Sequence, residues 1–184
     1  MHPYFFGYGS LVNRATQQYP DAQTAQLHGW RREWVRTDLR DVVFLSVKPA
    51  PGCVIDGLIA AVPGADWHAL DARETGYGRV QSGSAVAHAI TPAPQIAHYC
   101  IPAQSQRRGG DHKILLSYLD VVVQGFLREF GSQGVAQFFA TTDGWDTPVL
   151  NDRANPIYPR AQMLSADEMR LVDTHLAAIG KQPD

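Results

Sequence analysis

The feature that most constrains how this chain can fold is a change of hydrophobic period near His112. Before it, apolar residues come in short β-branched or aromatic runs cut by Pro and Gly, which predicts strands over 4–6, 25–37, 42–47, 53–62, 79–90 and 95–101. After it, Leu115, Tyr118, Leu119, Val122 and Phe126 recur at spacings of three and four, the stripe of a helix that buries one face. This helix is predicted to run from His112 to Gly131. A second helical stretch follows over 135–141, and Ser165 is placed to cap a last helix over 166–179. Within the strand-rich part, Pro49-Ala50-Pro51-Gly52 predicts a turn ending one strand before the next returns. Asp66 predicts a cap on a short helix over 67–74. The segments 143–148 and 151–160 read as ordered loop. Strands first and helices last define an α+β fold, a sheet or small mixed β-barrel packed by helices. At 184 residues it is most simply one domain over 1–184, strand-rich over 1–101 and helix-rich over 112–180.

Charge and cysteine usage narrow the function classes. The net charge of −2 gives no basis for nucleic-acid binding, which feeds on clustered cations. Arg31, Arg32, Arg36 and Arg40 do form a local run with Trp30 and Trp34; a solvated strand face with Arg stacked on indole is the expected reading. Cys53 and Cys100 lack CxxC spacing and the seven histidines form no HExxH pattern, so no metal and no organic cofactor is implied. No apolar run reaches the roughly 18 residues of a membrane span, and Tyr4-Phe5-Phe6 begins core strand where a signal peptide would lie. A cytoplasmic protein with a small-molecule partner, no membrane and no nucleic acid is expected. Oligomeric state is not legible.

Two places can carry chemistry. Gly7-Tyr8-Gly9-Ser10-Leu11 follows the first strand directly, and successive amides in such a turn can converge on an anion or a carbonyl oxygen. It lacks the third glycine of a dinucleotide fingerprint, the GKS or GKT of a phosphate loop, and the GxSxG of a nucleophile elbow. Ser10 therefore reads as a donor rather than a nucleophile. Glu74 shares a helical face with Trp67 and Leu70, which sets its carboxylate beside the core and raises its pKa, as a general acid/base requires. A surface carboxylate paired with Arg73 or Arg79 is the alternative.

FGYGSL after the first strand, then GWRREW, PGCVIDGL and LDARETGY over 70–77, together resemble the γ-glutamylcyclotransferases, with the last form similar to the ChaC-like, glutathione-degrading branch. The resemblance spans about 4–101. It implies a γ-glutamylcyclotransferase-like fold and substrate-binding roles for Gly7, Tyr8, Gly9, Ser10 and Leu11. It also implies that Glu74 is the catalytic acid/base and that Tyr77 borders the pocket. The implied reaction is an intramolecular aminolysis that releases 5-oxoproline from a γ-glutamyl compound such as glutathione or a γ-glutamyl dipeptide. A γ-glutamylamine, a biosynthetic γ-glutamyl-trimming role, or a non-catalytic binding module on the same fold are the alternatives. Beyond Ile101 the resemblance ends. Many members carry a tyrosine just before the long helix, and 107–113 contains none. Arg153, Tyr158 and Arg160 in the late loop either clamp a substrate carboxylate or satisfy loop carbonyls.

Overall fold

Strand β1 (Tyr4–Gly7) is apolar on both sides and therefore sits inside the sheet. In the computed structural model, which describes residues 2–184, Tyr4 and Phe6 enter the larger of two hydrophobic cores and Phe5 the smaller, the period-two alternation of a strand. Its neighbours come from β2 (Gln23–Thr37), β3 (Phe44–Ala61), β4 (Gly78–Gln81), β5 (Val86–Ala87) and β6 (Ile96–Cys100), in the order β4-β6-β1-β3-β2-β5. β1 runs parallel to β6 and antiparallel to β3. Two short strands, β7 (Gln106–Arg107) and β9 (Thr142–Asp143), add to β2 and complete an eight-stranded sheet curled into a half-barrel. β8 (Ile114–Leu115) and β10 (Val149–Leu150) pair in parallel apart from it.

The proline-rich segment departs from expectation. β2 and β3 form one long hairpin, and Pro49-Ala50-Pro51-Gly52 is a bulge inside β3 instead of a turn. Pairing jumps there from Trp30 opposite Pro49 to His28 opposite Val54, and Gly29 and Gly52 take left-handed backbone angles. A bulge releases backbone from the ladder, which lets prolines sit within a strand. The reversal itself lies at 38–43. The strand predicted over 79–90 is likewise two pieces, β4 and β5.

Helix α1 (His68–Arg73) seats Leu70 in the smaller core, with the Asp66 carboxylate accepting from the His68 amide at 3.1 Å. Glu74, the last residue of the predicted helix, is instead its C-cap, one residue past the helical body. Helix α2 (Leu116–Ala140) packs Leu119, Val122 and Phe126 into the larger core and breaks at Gly131, where the sequence predicted a stop. It begins four residues later than predicted because Ile114 and Leu115 are taken up by β8. Helix α3 (Ala166–Ala178) starts at a reciprocal Ser165–Glu168 capping box and buries Val172 and Leu176. Among the described residues no helix is long and apolar enough to cross a membrane.

The arginine run is not a solvated face. Arg32 is 0% exposed, with its guanidinium over the rings of Phe126 and Phe138 at 4.8 and 5.2 Å. Trp34 shares the inner face and packs against Tyr118 and Trp145, while Arg31 pairs with Asp143 at 2.7 Å. Alternation along β2 divides the run between core and surface.

Candidate active site

The chain leaves β1 straight into the loop that begins at Gly7. Arg32 donates from Nε to the Tyr8 carbonyl at 2.9 Å, and from its terminal nitrogens to the Asp56 carbonyl and, at 2.8 Å, to Thr141 Oγ1. Burial lowers its pKa to about 9, which still leaves a cation at neutral pH. The Tyr8 phenol donates to the Tyr99 carbonyl at 2.6 Å, tying the loop to β6. A 3-10 turn over Ser10–Val12 follows, with Gly9 O accepting from Val12 N and Ser10 O from Asn13 N, which leaves the opening amides outside the turn's own hydrogen bonds. At Gly9 the backbone comes so close to α2 that a Cβ would lie 2.7 Å from Tyr118 Oη and 3.2 Å from Leu45 Cδ2.

Glu74 reaches the same place from α1. Its side chain is 16% exposed and Arg73 lies 3.3 Å away, itself only 9% exposed. Arg79 is not its partner but pairs with Asp71 and lies over the Trp67 ring at 4.3 Å. Arg73 also donates to the Thr16 carbonyl at 2.6 Å and to Ser10 Oγ at 3.4 Å, so a single guanidinium fastens the carboxylate to the segment after the glycine loop. Burial pushes the Glu74 carboxyl above the ordinary range; the charges of Arg73 and Arg160 pull it part of the way back. Burial, with the Glu74 charge among the further causes, raises the phenols of Tyr8, Tyr77 and Tyr118, which stay protonated as donors. Tyr77 donates to the Leu45 carbonyl at 2.8 Å.

Two connected spaces open on these groups. A recess of about 30 Å³ is lined by all five residues of the loop 7–11 together with Glu74, Tyr77 and Tyr118. It shares Ser10, Glu74, Tyr77 and Tyr118 with a larger cavity of about 300 Å³, whose outer walls include Arg40, Tyr158 and Arg160. The structure thus brings together Gly7, Tyr8, Gly9, Ser10, Leu11, Glu74, Tyr77, Tyr158 and Arg160. Arg153 is the exception. It lines neither space, because it is held by the Asp120 carboxylate through two bonds of 2.7 Å and by Asp173.

The late loop owes its place to another carboxylate. Asp152 accepts from the Ser117 amide at 2.7 Å, from Ser117 Oγ at 2.5 Å and from the Ile157 amide at 2.9 Å, capping α2 and pulling 157–160 over the cavity. Tyr158 meets Tyr118 edge-on at 5.0 Å. Sequence reasoning missed Tyr118, Arg32 and Arg40 as residues of the site, and offered Arg73 only as a surface partner of Glu74, a pair the structure shows at 3.3 Å but mostly buried. By period Tyr118 is one more core position of the helix stripe; its hydroxyl, the one polar group on that face, is the available signal, since a buried phenol needs a partner. With α2 starting at Leu116, a tyrosine does border the cavity, from the first turn of the helix. Among the described residues no three His, Cys, Asp or Glu side chains gather as a metal site.

This curled sheet with one long helix is the fold of the γ-glutamyl cyclotransferases. The chain superposes on a solved γ-glutamyl cyclotransferase with a TM-score of 0.57 at 12% identity, over 95% of this chain and 99% of that one. Uncharacterized protein loc79017 from Homo sapiens matches with a TM-score of 0.57 at 13% identity, over 92% and 96%. YkqA from Bacillus subtilis matches with 0.54 at 15% identity, over 78% of this chain and 56% of that one. In sequence, residues 3–77 match the family of ChaC-like proteins. No curated protein matches. The sequence match to the ChaC-like proteins covers part of the strand-rich half, and the fold match covers nearly the whole length.

Proposed function

We propose that the protein releases 5-oxoproline from a γ-glutamyl amino acid or peptide, glutathione among them, by intramolecular aminolysis. The observation that carries this reading is a mostly buried carboxylate, Glu74, lining one recess with the Gly-rich loop, its pKa raised by burial above the ordinary carboxylate range. The substrate's α-amine attacks its own γ-carbonyl carbon. A five-membered ring closes, the γ-amide C–N bond breaks, and the amine departs with one added proton. Nothing else is consumed. At neutral pH the α-amine is an ammonium, so a base must first remove a proton. Glu74 accepts it and later delivers it to the leaving nitrogen, which a single carboxylate of raised pKa does better than one of ordinary pKa.

The loop supplies orientation. Holding the γ-glutamyl chain curled over its own amine makes the attack an intramolecular encounter, an effect worth up to roughly 7 to 11 kcal/mol in favourable systems. The opening amides of the 3-10 turn are the donors for the substrate's carboxylate or for the developing oxyanion, where one donor contributes about 3 kcal/mol. Arg32 fixes the Tyr8 carbonyl, and therefore the direction of the next amide. The test is 5-oxoproline release from glutathione, γ-glutamyl-alanine and ε-(γ-glutamyl)-lysine, each with the native protein and with Glu74→Gln. Product from at least one of them, lost in the variant, supports the reading. Product that persists in the variant above about a tenth of the native rate sinks Glu74 as the acid/base.

A further inference from the structure

We infer that Arg40 and Arg160 form an anion subsite for the departing amine, so that the protein selects γ-glutamyl compounds whose leaving group carries a carboxylate. The inference rests on the cyclotransferase reading above and specifies its substrate. Two elements distant in sequence bring these side chains to one cavity: Arg40 from the reversal between β2 and β3, Arg160 from the loop that follows β10. The third arginine there, Arg73, is already engaged by Glu74, Thr16 and Ser10. Arg40 and Arg160 have no acidic group within ion-pair distance among the described residues, whereas Arg14, Arg31, Arg79, Arg107 and Arg153 each have one. Two unpaired cations on the walls of a single cavity of about 300 Å³ repel each other and draw an anion in.

The position of these arginines says which anion. Glu74, Ser10, Tyr77 and Tyr118 border both the recess and the cavity, so the reacting amide sits where the two meet. The γ-glutamyl head lies on the recess side, against the loop 7–11. Arg40 and Arg160 line only the outer cavity and therefore face whatever the amide carries beyond its nitrogen. Val42, Phe44, Ile157 and Pro159 line the same cavity and give it an apolar wall that suits the side chain of an amino acid. A diamine or polyamine leaving group would bring a cation against two arginines and is disfavoured. A neutral alkylamine would gain the wall and nothing from the charges. An amino acid or short peptide gains both.

The test compares γ-glutamyl-glycine with γ-glutamyl-glycinamide, which differ at the charged end of the leaving group. Turnover is read as 5-oxoproline release, and affinity by calorimetry on the Glu74→Gln protein. The expected result is a preference of about tenfold or more in kcat/KM for the carboxylate compound. In Arg40→Gln/Arg160→Gln that preference shrinks to within about twofold, the loss falling on the KM of the carboxylate substrate. The paired lysine variant, Arg40→Lys/Arg160→Lys, keeps the charge and most of the preference, which separates lost recognition from lost folding. Equal turnover of the two compounds by the native protein overturns the subsite and leaves the cyclotransferase reading standing. No turnover of either, with carboxylate-dependent binding that the glutamine pair abolishes, keeps the subsite and overturns the reaction. No turnover and no preference in binding overturns both.

Discussion

The two walls of the cavity are built by opposite means. The inner wall, the loop 7–11, is tied down from behind: the buried Arg32 holds the Tyr8 carbonyl, the Tyr8 phenol holds β6, and the main chain at Gly9 lies against Tyr118. The outer wall, 157–160, rests mainly on the cap that Asp152 makes with Ser117 and Ile157, with Tyr158 edge-on to Tyr118, and it exposes Ile157 to solvent. The loop 7–11 lies within the residues that match the ChaC-like proteins, and 157–160 lies outside them. In the proposed reaction, proton transfer and ring closure tolerate sub-ångström error poorly, which suits a wall set by redundant buried contacts. Recognition of a leaving group tolerates more. A wall hung from one cap can change sequence without disturbing the chemistry behind it.

If the inner wall is the chemical one, Glu74→Gln has the largest effect of any single change. Its kcat is expected to fall by at least about 10² while substrate affinity stays within a few-fold, read by 5-oxoproline release beside calorimetric titration. Next comes Gly9→Val, whose branched side chain meets Tyr118 Oη and Leu45. About a tenfold or larger loss of kcat/KM with native circular dichroism is expected; unchanged kinetics would reduce the loop to a turn.

Arg32→Met and Asp152→Ala set the walls directly against each other. The first strands the carbonyls of Tyr8 and Asp56 behind the loop and is expected to cost about 3 kcal/mol. That is roughly 10 °C in melting temperature, with kcat falling more than KM rises. The second loses the bonds to Ser117 and Ile157 and is expected to cost about 2 kcal/mol, with KM rising while kcat holds. The same kinetic pattern from both variants would erase the distinction between the walls.

The smallest effect concerns pH. Because burial raises the Glu74 pKa, the native state binds more protons than the unfolded chain between the ordinary carboxylate value and the raised one. Stability therefore falls as pH rises through that window, and the penalty is fully present above it. Glu74→Gln removes the titration. The variant is expected to melt slightly above the native protein at neutral pH, with the gap closing in acid below the ordinary carboxylate range. The same shift places the acid limb of kcat/KM above the pH at which an exposed glutamate would produce it, since the base must be ionised to act.

The period change near residue 112, the glycine loop after the first strand and the carboxylate at Glu74 are all local patterns, and each stands in the structure where the sequence put it. Pro49-Ala50-Pro51-Gly52 was misread because the same residues make a turn or a bulge according to whether a neighbouring strand continues past them, and β2 does. The arginines show the limit most clearly. Arg31 and Arg32 are adjacent and chemically identical, yet one meets Asp143 at the surface and the other is sealed between Phe126 and Phe138. Arg153 and Arg160 share one loop, but Asp120 captures the first and the second is left facing the cavity. Sequence by itself determined most of the elements and the places of the glycine loop and Glu74, because backbone period and glycine placement act over a few residues. Tertiary structure alone decided that Tyr118 and Arg160 join Glu74, because which side chain reaches a cavity depends on strand register and on partners dozens of residues away.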